Sequence, residues 1–77
     1  MEIKILAFGQ IADILGKSSL TFSDVKNTDS LIANLSEAFP ELSSLKYSIA
    51  VNQKLMHTNS ELNDNDTVAL LPPFSGG

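Results

Sequence analysis

The sequence predicts an α+β domain in which one main helix packs on one face of a mixed β-sheet of about five strands. Segments with the two-residue alternation of strands lie on both sides of a single long segment with helical spacing. The chain has 77 residues, and 43% of them are hydrophobic. A chain of this size and composition forms one small core, so we expect one domain over residues 1–73 and a flexible C-terminal tail over residues 74–77.

The first strand is predicted over residues 2–8. One face carries Ile3, Ile5 and Ala7, and the other carries Glu2, Lys4, Leu6 and Phe8. The segment GQIADILG (residues 9–16) has apolar residues at helical spacing between two glycines, which predicts a short helical turn. A second strand is predicted from Leu20 to Ser23, and we expect it to pair antiparallel with the first.

The main helix is predicted from Thr28, whose hydroxyl is suited to cap the first free backbone N–H groups. The apolar stripe expected to face the sheet consists of Leu31, Ile32, Leu35, Ala38 and Phe39. Pro40 is expected to end the helix, because a proline pushes the residue before it out of helical geometry.

The second half of the chain predicts three more strands. Residues 47–56 indicate a strand, a turn at residues 52–53 and a short second strand. Residues 61–66 are rich in Asn and Asp, which form turns, and the last strand is predicted from Thr67 to Leu71 before two prolines. An early strand, a central helix and a late strand in this order indicate the β-grasp, the architecture of ubiquitin.

The charge composition argues against nucleic-acid binding. Five lysines, no arginine and nine acidic residues give a net charge of −4, whereas phosphate recognition depends on clustered basic side chains. An acidic surface favours a partner with a basic groove.

No apolar run has the roughly 18 residues of a membrane span, and the N-terminus alternates as a strand does, so we expect a cytoplasmic protein without a membrane partner.

Catalysis and metal binding by this chain alone are not expected. The absence of cysteine excludes disulfides, thiolate metal sites and cysteine nucleophiles. The one histidine, His57, has no second histidine or acidic cluster near it in the sequence, so we interpret it as an ordinary surface residue.

The C-terminal sequence LLPPFSGG contains two of the four glycines in the chain. Because glycine has no Cβ, Gly76 and Gly77 form a slender tail that can enter a narrow channel. The reactive group of such a tail is the terminal carboxylate of Gly77, which becomes an acyl donor once it is activated. Pro72 and Pro73 stiffen the base of the tail.

Several segments together resemble the small subunit of molybdopterin synthase, the ubiquitin-like sulfur carrier often called the MoaD family. These segments are FGQIADILG (residues 8–16), VNQ (51–53), LNDNDTVALLPP (62–73) and SGG (75–77). The resemblance covers nearly the full length and is most specific at the PPFSGG ending. Two positions depart from the family pattern: Ala12 stands where a basic residue is frequent, and Asn65 replaces a turn glycine.

The resemblance implies a sulfur-donating subunit without an active site of its own. A ubiquitin-activating-like adenylyltransferase would adenylate Gly77 with ATP and magnesium, and the adenylate would become a thiocarboxylate. The tail would then enter the large subunit of the synthase and donate sulfur to cyclic pyranopterin monophosphate during molybdenum cofactor biosynthesis. The chain itself would bind no cofactor and no metal, and the assembly implied is a heterotetramer of two small and two large subunits.

The strand alternation predicts a docking face beside the tail. If the first and last strands are neighbours, Leu6, Phe8 and Leu71 form one apolar patch on the sheet face away from the helix. The residues expected to bind partners are Leu6, Phe8, Leu71, Pro72, Pro73, Phe74 and Ser75.

Three other functions remain open at this point. Thiamine-type sulfur carriers share the fold and the diglycine end, although they usually lack the paired prolines and the SGG ending. A ubiquitin-like protein modifier would be joined through Gly77 to lysines of other proteins. A plain interaction module would have an inert tail.

Overall fold

The computed structural model describes residues 2–72 of the chain. Its elements are β1 (Glu2–Ala7), α1 (Gly9–Leu15), β2 (Ser19–Ser23), α2 (Thr28–Ala38), a 3₁₀ helix (Pro40–Ser44), β3 (Ser48–Val51), β4 (Lys54–Met56) and β5 (Thr67–Leu71). The predicted order of strands and helices is confirmed, and the 3₁₀ helix is an addition. No helix in this part of the chain has the length and apolar character needed to cross a membrane.

The five strands form one mixed sheet in the order β2-β1-β5-β3-β4. The two central strands, β1 and β5, run parallel, and the other three pairs are antiparallel. The first and last strands are therefore neighbours at the centre of the sheet, which confirms the predicted β-grasp arrangement.

The core lies between the sheet and the helices. Ile3 and Ile5 of β1 and Val68 and Leu70 of β5 are fully buried, as the alternation predicted. They pack in one cluster with Ile11, Leu15, Val25, Leu31, Leu35, Leu42, Ile49, Val51 and Leu62. One face of the sheet is thus covered, and the other face is left to the outer residues of the same strands.

The predicted N-cap of α2 is wrong by one residue. Asn27 is the cap: its Oδ1 accepts a hydrogen bond from the backbone N–H of Ser30 at 2.8 Å. Thr28 is instead the first helical residue and is 3% exposed. Its Oγ1 accepts from the backbone N–H of Ser60 at 2.9 Å, so this hydroxyl serves a tertiary contact and is not free to cap the helix.

The predicted end of α2 is confirmed, because Pro40 begins a new element. Phe39 has φ −132° and ψ 81°, outside helical geometry, and Pro40 starts the 3₁₀ helix. Ala38 is exposed, so its assignment to the apolar stripe is wrong. The core at this end is filled by Leu42 of the 3₁₀ helix, which is 1% exposed.

Two turns have a left-handed backbone at amide residues. The β3–β4 turn has φ 49° at Asn52 and 72° at Gln53, the signs required by a type I′ hairpin turn. Asn65, before β5, has φ 69°, which confirms the prediction that asparagine replaces glycine there without losing this conformation.

Candidate functional site

The parallel pairing of β1 and β5 brings two predicted site residues to one face of the sheet. In the register of this pair, Leu6 lies opposite Ala69, and Leu71 follows two residues later on the same face as Ala69. Leu6 and Leu71 are half-buried. Both point away from α2, since the alternate positions of these strands are in the core.

Phe8 continues this face beyond the end of β1. The strand ends at Ala7, one residue before the predicted end, but Phe8 keeps extended backbone angles, φ −132° and ψ 152°. Its side chain is 46% exposed, which is high for a phenylalanine. Its carbonyl accepts a hydrogen bond from the N–H of Ile11 at 3.1 Å, so α1 holds this residue at the edge of the face.

Leu55 joins the same face, and the sequence reasoning missed it. Leu6, Ala69, Ala50 and Leu55 are successive register partners across β1, β5, β3 and β4. Leu55 is 56% exposed, and Phe8, at 46%, is the other exposed large apolar residue within residues 2–72. A three-residue strand is too short for alternation to assign its faces, which is why only the pairing register reveals Leu55. We call Leu6, Phe8, Ala50, Leu55, Ala69 and Leu71 the outer apolar patch.

A shallow depression lies within this patch. Its volume is about 290 Å³, and its lining residues are Leu6, Ala50, Asn52, Gln53, Thr67 and Ala69. Two adjacent alanines, Ala50 and Ala69, leave space where larger side chains would fill the surface. The lining of the depression combines the apolar side chains of Leu6, Ala50 and Ala69 with the amides of Asn52 and Gln53.

Hydrogen bonds hold the amide of Asn52 in place. Asn52 donates from Nδ2 to Oδ1 of Asp66 at 2.9 Å, and its Oδ1 accepts from the backbone N–H of Thr67 at 3.0 Å. Oδ2 of Asp66 accepts from the backbone N–H of Asn63 at 2.8 Å. The bonds from Asn52 and Asn63 lower the pKa of Asp66 below its usual value, because they favour the charged carboxylate.

The start of β1 is tied to the loop that leads into β5. The backbone N–H of Glu2 donates to Oδ1 of Asp64 at 2.7 Å, and its carbonyl accepts from the N–H of Asn65 at 2.7 Å. The N–H of Lys4 donates to the carbonyl of Asp66 at 2.9 Å. These bonds help to fix the register of β5 along β1.

The C-terminal arm (residues 73–77) follows Pro72, and Pro72 lies against the β1–α1 turn. Pro72 follows β5 directly and is half-buried. Gly9 has φ +56°, and a Cβ built on it would lie 3.3 Å from Cγ of Pro72. The exit of β5 and the start of α1 are therefore in close contact.

The remaining predicted site residues are Pro73, Phe74, Ser75, Gly76 and Gly77, and they lie outside the described residues. The predicted boundary between domain and tail falls there as well.

His57 is exposed, in agreement with its interpretation as a surface residue. Within residues 2–72, no three histidine, aspartate or glutamate side chains lie together in a way that could hold a metal ion.

The strand order, the covering helix and the central parallel pair define a ubiquitin-like β-grasp protein. Residues 5–77 match the model of the ThiS family, and the chain belongs to that family. Two curated relatives are named molybdopterin synthase sulfur carrier subunit. The protein of Dictyostelium discoideum is 35% identical, covering 99% of this chain and 96% of the relative, and that of Chlamydomonas reinhardtii is 35% identical over the full length of both.

Solved structures agree with this assignment of the fold. Small archaeal modifier protein 1 from Methanosarcina acetivorans has a TM-score of 0.85 at 21% identity, covering 99% of this chain and 96% of that protein. At this identity the likeness concerns the fold alone. A chain in the complex of subunits 1 and 2 of molybdopterin-converting factor from Helicobacter pylori has a TM-score of 0.74 at 29% identity, with full coverage of both chains.

Proposed function

We propose that this protein is the sulfur-carrier subunit of molybdopterin synthase. The observation that carries the proposal is the 35% identity, across 99% of the chain, to a protein named molybdopterin synthase sulfur carrier subunit. The diglycine end supplies the chemical group that such a role requires, because a slender tail presents the Gly77 carboxylate without side chains beside it.

The proposed chemistry takes place at the carbon of that carboxylate. The Gly77 carboxylate attacks the α-phosphorus of ATP, a phosphorus–oxygen bond breaks, and pyrophosphate leaves to give an acyl-adenylate. A hydrosulfide equivalent from a sulfur donor then attacks the acyl carbon, and AMP leaves to give a thiocarboxylate. The thiocarboxylate sulfur finally bonds to a carbon of cyclic pyranopterin monophosphate and displaces an oxygen substituent there. Water then hydrolyses the acyl–sulfur bond, so that the sulfur stays on the pterin as a thiolate and Gly77 regains its carboxylate.

In this proposal the other groups needed for the reaction belong to partners. ATP and magnesium serve a ubiquitin-activating-like adenylyltransferase, and the catalytic pocket for sulfur transfer lies on the large subunit of the synthase. The similarity to a chain from a two-subunit molybdopterin-converting complex supports a large-subunit partner. We expect two small and two large subunits in the assembly, and a cytoplasmic location, since adenylation consumes ATP.

We infer that both partners dock on the outer apolar patch. Leu6, Phe8 and Leu71 lie on the sheet face away from α2, near the end of β5 that Pro72 follows, and Leu55 extends the patch across β3 and β4. Phe8 and Leu55 are exposed, whereas Leu6, Ala69 and Leu71 are half-buried and Ala50 is buried. Contiguous apolar surface usually marks an interface. Because one patch would serve both partners, the adenylyltransferase and the large subunit should exclude each other.

Intact mass spectrometry tests the proposal directly. The full chain is incubated with its adenylyltransferase, ATP, magnesium and sulfide. We expect a mass gain equal to the replacement of one oxygen by sulfur, mapped to the C-terminal peptide. A chain that stays unchanged while the enzyme consumes ATP on a known carrier would overturn the proposal.

The acceptor enzyme separates the proposed pathway from the other roles. We expect the thiocarboxylated chain to supply sulfur to the large subunit of molybdopterin synthase. Transfer only to the thiamine-pathway acceptor would assign the chain to that pathway. Ladders of the chain joined to other proteins on denaturing gels would indicate a modifier.

A further inference from the structure

We propose that Gly9 is a positioning residue for the reactive arm. The absence of a side chain at Gly9 lets the ring of Pro72 lie against the β1–α1 turn, and this contact determines where the last five residues of the chain begin. The inference rests on the proposed function, because it concerns how the Gly77 carboxylate reaches a partner's active site.

The contact between Gly9 and Pro72 leaves little room for a methyl group. A Cβ on Gly9 would lie 3.3 Å from Cγ and 3.8 Å from Cβ of Pro72. The shorter distance is tighter than ordinary van der Waals contact between carbons, so the proline ring would have to move by a few tenths of an ångström.

The β1–α1 turn has little freedom to move in place of Pro72. On one side of Gly9, the N–H of Ala7 donates to the carbonyl of Ser18 at 2.8 Å. On the other side, the N–H of Ile11 donates to the carbonyl of Phe8 at 3.1 Å, and Ile11 is fully buried. A Cβ on Gly9 would therefore displace Pro72 more easily than the turn, because Pro72 follows β5 and is not paired with another strand.

A shift at Pro72 acts on the reactive end through a short segment. Five residues, 73–77, connect Pro72 to the terminal carboxylate. Five residues reach at most about 18 Å, so a change in the position of Pro72 is carried to the carboxylate by a short segment. Since a misplacement of about 1 Å can reduce a reaction rate by roughly two orders of magnitude, a smaller shift should have a measurable effect.

Gly16 provides a matched control at the other end of α1. It also has a left-handed backbone, φ +79°, but a Cβ built on it meets nothing within 4 Å. Alanine is strained at both positions for the same backbone reason. Only at Gly9 does the added methyl group contact the base of the arm, so the comparison of the two variants isolates that contact.

The experiment measures adenylation of the full chain by its adenylyltransferase, followed as ATP–pyrophosphate exchange. We expect Gly9→Ala to lower kcat by about threefold to tenfold relative to Gly16→Ala, with KM unchanged because the outer apolar patch is intact. Urea unfolding should show similar midpoints for the two variants. Replacing Pro72 removes the contacted Cγ, so Gly9→Ala should cost little kcat in a Pro72→Ala background.

A second pair of variants separates an effect on the arm from a loss of stability. Asparagine tolerates the left-handed region better than alanine while still carrying a Cβ. If Gly9→Ala does not fold, Gly9→Asn is compared with Gly16→Asn in the same assay, with the same expected difference in kcat.

Two results would overturn the inference. One is equal kcat for the Gly9 and Gly16 variants, and the other is a loss at Gly9 that persists undiminished with Pro72→Ala. Both results count only when the wild-type chain is active in the same assay. A wild-type chain that supports no exchange at all would overturn the proposed function itself, which distinguishes the two failures.

Discussion

Asn52 and Asp66 are joined by a hydrogen bond of 2.9 Å that ties the β3–β4 turn to the start of β5. Asn52 also accepts from the backbone N–H of Thr67 at 3.0 Å, so one amide holds two neighbouring segments. These contacts form the polar margin of the depression in the outer apolar patch. The margin is stabilised by side chains that the sequence presents only as turn formers.

Replacing Asn52 with glycine should lower the free energy of unfolding by about 1 kcal/mol, because the side-chain hydrogen bonds are lost. Glycine keeps the left-handed φ of 49° accessible, so backbone strain does not contribute. Urea unfolding measures the change. Gln53→Gly is the control, since Gln53 has the same sign of φ; an equal or larger loss there would contradict the role of the Asn52 bonds.

Stability should fall at acid pH through Asp66. Its pKa is lowered in the folded state, so its contribution is fully present above the unfolded pKa and is lost as pH falls through the folded pKa. Asp66→Asn should therefore be less stable than the wild type at neutral pH and approach it at acid pH. Urea midpoints measured across this range test the prediction; a difference that does not depend on pH would refute it.

Aspartate at Phe8 or Leu55 should weaken binding to both the large subunit and the adenylyltransferase by about tenfold or more, because a charge is then buried at the interface. Both side chains are exposed, so the fold should be retained. Leu55→Asp tests the part of the patch found from the register. Asn34→Asp, on the exposed side of α2, adds the same charge elsewhere and should bind normally. Calorimetric titration gives the affinities.

Asn27→Ala should destabilise the domain by about 1 kcal/mol through loss of the N-cap of α2. Asn34→Ala is the matched control, because it removes the same side chain from the exposed helix interior, where alanine is the better helix former. Thermal unfolding should show a lower midpoint for the first variant only. The reverse order would mean that Asn27 does not act as the cap.

Deletion of Gly77 should abolish thiocarboxylate formation and leave the unfolding midpoint unchanged. The deletion moves the terminal carboxylate one residue closer to the sheet, so it no longer reaches the activating site. Mass spectrometry after incubation with the adenylyltransferase measures the loss. Sulfur incorporation at the normal rate in the shortened chain would show that the length of the arm is not critical.

Much of the fold follows from local patterns. The alternation of apolar residues in β1 and β5 predicted which residues are buried, because a strand that is covered on one face has a period of two. Pro40 predicted the end of α2, and Asn65 predicted a left-handed turn, since both depend on the geometry of one residue.

Other features depend on residues that are distant in the sequence. Asn27 is the cap because Thr28 is already bonded to Ser60, which lies 32 residues away. Leu55 belongs to the outer apolar patch through its register with Ala50, and a strand of three residues has no pattern that indicates its face.

The sequence alone determined the element order, the buried faces of β1 and β5 and the family of this protein, because these are encoded by local periodicity and by short motifs. Tertiary structure alone decided the helix cap, the extent of the outer apolar patch and the contact between Gly9 and Pro72. The physical reason is that these features arise from the packing and pairing of segments far apart in the chain, and no local pattern carries that information.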